Sequence, residues 1–185
     1  MSLTDRAVLS ASRQHSPMPP PKDPLAHALL SQFEAAFAML RNCMRACPAE
    51  LWDAPIAKYP FWLVAYHVLY CTDGYLATTQ EAWQPHPTFH PAGFADINSE
   101  YPSRNFSQPE LLAYLDFCLT TARNSLAAET AATLTGPSGF PRLPFCRTQL
   151  HLYNLRHLQH HTGQLTALLH RHNIQTPWVK SGYPE

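Results

Sequence analysis

Charge is scarce in this chain, and acid is scarcest towards its end. Only 14% of the 185 residues are charged, with Lys+Arg and Asp+Glu balanced at 13 each. Such a surface carries no electrostatic footprint for nucleic acid or for an anionic membrane. No apolar run is long enough to cross a bilayer, and no hydrophobic signal core opens the chain, so a cytoplasmic location is expected. The five cysteines (Cys43, Cys47, Cys71, Cys118 and Cys146) contain no C-x-x-C, which argues against a zinc ribbon or a disulfide framework. Reduced, mostly buried thiols are expected instead. Cys43 and Cys47 share a helix face; small core residues explain them more simply than a metal pair does. Several catalytic signatures are also missing. No Glu follows His157 in an H-E-x-x-H pattern, no Glu has a His three residues later as a di-iron carboxylate protein requires, and no C-x-x-C-H marks covalent haem.

What is present is a globular composition, 45% hydrophobic, long enough for one domain with a true core. Proline divides it. Residues 1–24 read as a flexible Pro-rich leader, residues 25–173 as a four-helix bundle domain, and residues 174–185 as an irregular C-terminal tail. In the first helix, predicted from residue 25 to about residue 47, Leu25, Leu29, Phe33, Phe37, Leu40 and Met44 recur at helical spacing. The second is predicted from Phe61 to about Trp83, with Pro60 at its start and an inward row of Leu63, His67, Cys71, Gly74 and Thr78. A proline-punctuated connection over residues 84–106 follows, long enough to be a crossover between helices 2 and 3, a cover over a site mouth, or both. Ser107 with Glu110 three residues on is a capping box, opening a third helix that runs to about Ala132. After a break at residues 136–144, a fourth runs from about Phe145 to Asn173. No strand alternation is convincing, and the fold class is all-α.

The functional signal is histidine. Residues 130–184 hold no acid but include Arg142, Arg147, Arg156, Arg171, Lys180 and six of the eleven histidines. A metal there would be ligated by neutral groups and keep its charge; chance in a weakly charged protein explains the same pattern. His157 and His161 are four apart and project from one helix face. Tyr153, Asn154 and Gln164 fall within roughly one sixth of a turn of His157, alongside Leu150 and Leu168, so the pair is expected mid-stripe on a core-facing surface. His151 and His170 point elsewhere in this projection. Imidazoles in a helical core need partners, and a divalent ion bound also by His67 from a facing helix supplies one. Three protein ligands leave a position for water or substrate. The alternative is that these histidines are core groups satisfied by carbonyls, each other or Tyr153. Asn154 and Gln164 are expected to support the imidazoles, Tyr153 to face either them or substrate. No inward carboxylate offers itself as a general base.

The stretch from His157 through Leu-Gln-His to His161 and on through Thr-Gly to Gln164 resembles the H-x-x-x-H-x-G-Q signature of the DinB/YfiT-like superfamily. The segment from Phe61 to His67 resembles that family's earlier histidine motif, with Trp52 in its approach. The resemblance spans about residues 25–173. It implies a four-helix bundle carrying one divalent metal ion, zinc, nickel, iron or manganese, on His67, His157 and His161, often in a homodimer. It further implies a metal-dependent enzyme, a transferase or isomerase acting on a small-molecule substrate with a low-molecular-weight thiol such as bacillithiol, mycothiol or glutathione. No nucleic-acid or membrane partner is expected. A non-catalytic protein that binds metal or a small ligand, and a purely structural bundle, are the alternatives. Gly163, projecting away from the metal face, fits either a close subunit approach or an open surface.

Overall fold

The computed structural model describes residues 19–90 and 104–183. The chain is predominantly helical, with one small two-stranded sheet. Helix α1 spans Pro24–Ala46. Asp23 caps it by accepting hydrogen bonds from the Leu25 and Ala26 amides at 2.9 and 3.1 Å, and Pro24 fills the first helical position, where no amide is needed. A short turn leads to an antiparallel hairpin, β1 (Pro55–Ile56) and β2 (Tyr59–Pro60). Strands of two residues carry no readable alternation, so the sequence does not announce them.

Helix α2 (Phe61–Leu76) lies at the centre. All its residues are buried except His67 and Tyr75, as expected of a helix apolar around its whole circumference. It stops at Leu76 rather than reaching Trp83, because its last carbonyls are bound from afar. Arg147 donates to Leu76 O and Ala77 O at 3.2 and 2.6 Å, and the Ser125 hydroxyl donates to Leu76 O at 2.9 Å.

Helix α3 (Gln108–Ala128) opens at the expected capping box: the Glu110 carboxylate accepts from the Ser107 amide and hydroxyl at 2.8 and 2.7 Å. It ends earlier than the sequence suggests, since Glu129 turns inward to Arg147 and Thr130 caps a separate short helix, α4 (Ala131–Thr135). Helix α5 (Arg147–Arg171) completes the set. Among the long helices, α1 packs on α3 and α5, and α2 packs on the same two. Around this core, no described helix is long and apolar enough to cross a membrane.

The connection after α2 begins by folding back on α2 and α3. His90 and Asp73 are buried together; the Tyr114 hydroxyl lies 2.9 Å from His90 Nε2, and Trp83 and Tyr114 both donate to Asp73 Oδ2 at 3.2 Å. At the far end of the connection, Phe106 stacks on Tyr66 and its carbonyl accepts from the Trp52 indole at 2.9 Å. The segment 91–103 and residues 1–18, where most of the expected leader falls, lie outside the described residues.

Candidate metal centre

Helix α5 turns a different face to the core from the one its histidine spacing suggests. Its buried stripe is His151, Asn154, Leu158, Thr162, Leu165 and Leu169, with Leu150 and Leu168 beside it. That stripe centres on Leu158, so His157 and His161 occupy its flank, half-buried. His151, expected to point elsewhere, is fully buried. The projection centred on His157 failed because Leu158 and Leu165 decide which face goes inward; hydrophobic burial outweighs the imidazoles.

The flank faces α2. His67 and Cys71, one turn apart on that helix, meet His157 and His161, one turn apart on α5. Ring centroids lie 5.2 Å apart for His67 and His157, 4.9 Å for His67 and His161, and 4.5 Å for His157 and His161. His157 Nε2 and His161 Nε2 approach to 3.1 Å. The donor atoms of His67, Cys71 and His157 all lie within 4.8 Å of one another. Bond lengths around tetrahedral zinc place two imidazole nitrogens about 3.3 Å apart, and a nitrogen and a sulfur about 3.6 Å apart. The nitrogen spacing on α5 is already close to that value.

Electrostatics agree with a ligand role. Burial, helped by the neighbouring rings of His161, His67 and His160, lowers the His157 pKa to about 3. Burial likewise brings His161 to about 4, against a raising hydrogen bond with Gln164. Both rings are therefore neutral at physiological pH, the form that binds metal. Gln164 Oε1 sits 2.8 Å from His161 Nδ1. As an acceptor it places the ring proton on Nδ1 and leaves the Nε2 lone pair turned towards His157, the arrangement usual around ligating histidines. His157 lacks such support: its Nδ1 is buried with no hydrogen-bond partner. Two neutral nitrogens converging with no acid between them form a donor set suited to a cation.

The other two candidates lie elsewhere. Asn154 is fully buried, but its amide donates to the Thr72 carbonyl at 3.1 Å and ties α5 to α2. Tyr153 packs against Tyr75 and Phe145, with ring centroids at 5.5 and 5.8 Å. Both side chains leave α5 in the right general direction but meet the nearest polar or aromatic neighbour before any imidazole. The sequence reading missed Cys71 as a possible ligand, although its spacing of four from His67 carried the same signal as the pair on α5.

Beside the centre opens a cleft of about 260 Å³, lined by residues 56–59 of the hairpin together with Leu63, Val64, His67, His161 and Gln164. Its outer wall is thus the hairpin; no described residue of the 84–106 connection lines it. Ala57 in the hairpin turn has φ 53°, a strained conformation for a residue with a Cβ.

The family model described as DinB superfamily matches residues 13–165. Comparisons with curated proteins and with solved structures find no match.

Proposed function

We propose that this chain, which belongs to the DinB superfamily, is a four-helix bundle that holds one divalent metal ion on His67, His157 and His161 and acts on a small molecule with a low-molecular-weight thiol. The observation that carries this reading is the 3.1 Å approach of two α5 imidazole nitrogens, in a cluster that includes no carboxylate among the described residues, at the foot of an open cleft. When bound, a divalent ion supplies a Lewis-acidic position that lowers the pKa of a ligated thiol or water.

The protein's own groups prepare that position. Burial keeps His157 and His161 unprotonated, so protons do not compete for the site near neutrality. Gln164 fixes the His161 tautomer. Leu63, Val64 and Ile56 give the cleft apolar walls that exclude water from a bound substrate, and Lys58 places a cation at its rim. No carboxylate lines the cleft among the described residues.

The test is metal-dependent conjugation. Purified protein loaded in turn with zinc, nickel, ferrous iron or manganese is offered glutathione, mycothiol or bacillithiol and a model electrophile. Turnover that needs the metal and disappears in His161→Ala supports the reading. Stoichiometric metal with no turnover contradicts the enzymatic part and leaves a metal-binding protein. The homodimer is proposed on family resemblance alone; solution mass checks it.

A further inference from the structure

The three-histidine reading leaves Cys71 unused, yet its sulfur faces the cluster. On α2 it stands one turn from His67, with Sγ 3.9 Å from His67 Nδ1 and 3.8 Å from Nε2. Only one of the two nitrogens can bind a shared ion, and either separation lies within a few tenths of an ångström of the sulfur–nitrogen edge of about 3.6 Å around tetrahedral zinc. Its sulfur also lies within 4.8 Å of the His157 donor. The other core cysteines are aimed elsewhere: Cys43 at the Thr166 hydroxyl, Cys47 at the Pro48 carbonyl and Cys118 at the Leu69 carbonyl. Cys71 is 5% exposed. It does not line the cleft, which reaches the cluster past His67 and His161.

We propose that Cys71 is a fourth protein ligand, so that the centre is a three-nitrogen, one-sulfur site whose sulfur approaches from the core side and whose cleft side stays open to substrate. This rests on the metal centre proposed above. Ligation is a simple exchange: the Cys71 S–H bond breaks, its proton goes to solvent, a metal–sulfur bond forms, and no electrons are transferred. The thiolate lowers the charge of the filled site from two to one. A soft donor also biases the choice of metal towards zinc over manganese, whose preferred ligands are harder oxygens. Zinc can expand to five-coordinate during reaction, so four protein ligands do not close the cleft side to substrate.

Cobalt(II) titration of the full chain tests this without any assay of turnover. Wild-type protein is expected to show visible d–d bands together with a near-ultraviolet thiolate-to-cobalt charge-transfer band. Cys71→Ser is expected to keep the visible bands and lose the near-ultraviolet one. Loss of outer-shell support alone weakens metal binding about 10–100-fold, so loss of this ligand should weaken zinc at least that much and manganese far less. Visible bands without the charge-transfer band in wild type, or a charge-transfer band that survives Cys71→Ser, overturn the proposal and leave a three-histidine site standing. No cobalt bands at all overturn the metal centre itself. Should Cys71→Ser fold poorly, zinc X-ray absorption on unsubstituted protein decides: one sulfur at about 2.3 Å is expected, and a shell of nitrogen and oxygen alone contradicts it.

Discussion

His151 and His157 stand six residues apart on α5, and burial lowers the pKa of both. His151 is buried beside an ion pair that engages its Nε2, while its Nδ1, like that of His157, finds no partner. Its Nε2 lies 2.9 Å from Glu129 Oε1, the same oxygen accepts from Arg147 Nε at 2.8 Å, and Arg147 goes on to hold the end of α2. Among the described residues, His157 has no acidic partner. Its closest ring contacts are the imidazoles of His67 and His161, with the Cys71 thiol near them and a cleft alongside. The difference teaches how to tell a structural histidine from a candidate ligand. The first meets a carboxylate and a guanidinium through its Nε2, while the second meets only other imidazoles and a thiol, a set of donors compatible with a cation.

The largest way to break this comparison is to remove charge from the neutralised cluster. Arg147→Met leaves Glu129 buried without its guanidinium and takes a donor from the Leu76 and Ala77 carbonyls, of which Leu76 keeps the Ser125 hydroxyl. Loss of one partner from a buried pair costs about 3–5 kcal/mol. Urea unfolding should show a loss of that order, with the metal content of the folded fraction unchanged. A loss below about 1 kcal/mol would mean that this pair behaves like a surface one.

A second substitution works in the opposite sense. His161→Ala should nearly abolish metal binding while hardly destabilising the chelated protein, because a half-buried imidazole without a carboxylate partner contributes little to the fold. Metal analysis and melting temperature with and without chelator read the two effects. A large loss of stability in chelator would return His161 to the structural class.

Acid separates the two regions by pH. In chelated protein, His157 and His161 are lowered from 6.5 to about 3 and about 4. The unfolded chain therefore takes up protons first, and stability falls as pH drops below about 6.5. His151, lowered mainly by burial, falls in the same direction. For Glu129, burial alone would raise the carboxyl, but hydrogen bonds from His151, Arg147 and Thr133 outweigh it and hold it at about 2. Its contribution is complete above 4.5 and is lost as pH falls towards 2. His157→Ala should flatten the upper window of a pH series of urea midpoints, and Glu129→Gln the lower one.

The smallest expected effect lies on the outer face of α5. A Cβ at Gly163 meets nothing within 4 Å, so Gly163→Ala should stabilise the monomer by about 0.5–1 kcal/mol through helix propensity. Destabilisation, or a change in solution mass, would place a second subunit against this face.

Periodicity in the sequence reveals the four long helices, and the capping box at Ser107 locates the start of one of them. It also brings His67, His157 and His161 into one neighbourhood, with Gln164 at hand. Features that depend on distant partners stay hidden. The end of α2 is set by Arg147, seventy-one positions from Leu76, and the break after α3 by the inward turn of Glu129. Asn154 and Tyr153 have the right angular position on α5, but angle alone does not say which neighbour each side chain reaches first. Cys71 sits in the inward row of α2 in the sequence, but a buried thiol is usually a small core group, so its spacing alone does not mark it as a ligand.

Zinc titration of wild-type protein beside His157→Ala tests the central claim most directly. One equivalent bound by the wild type and none by the variant, with both folded, is the predicted result. Equal zinc in the two proteins, or none in the wild type, would contradict the convergence of these imidazoles on one ion.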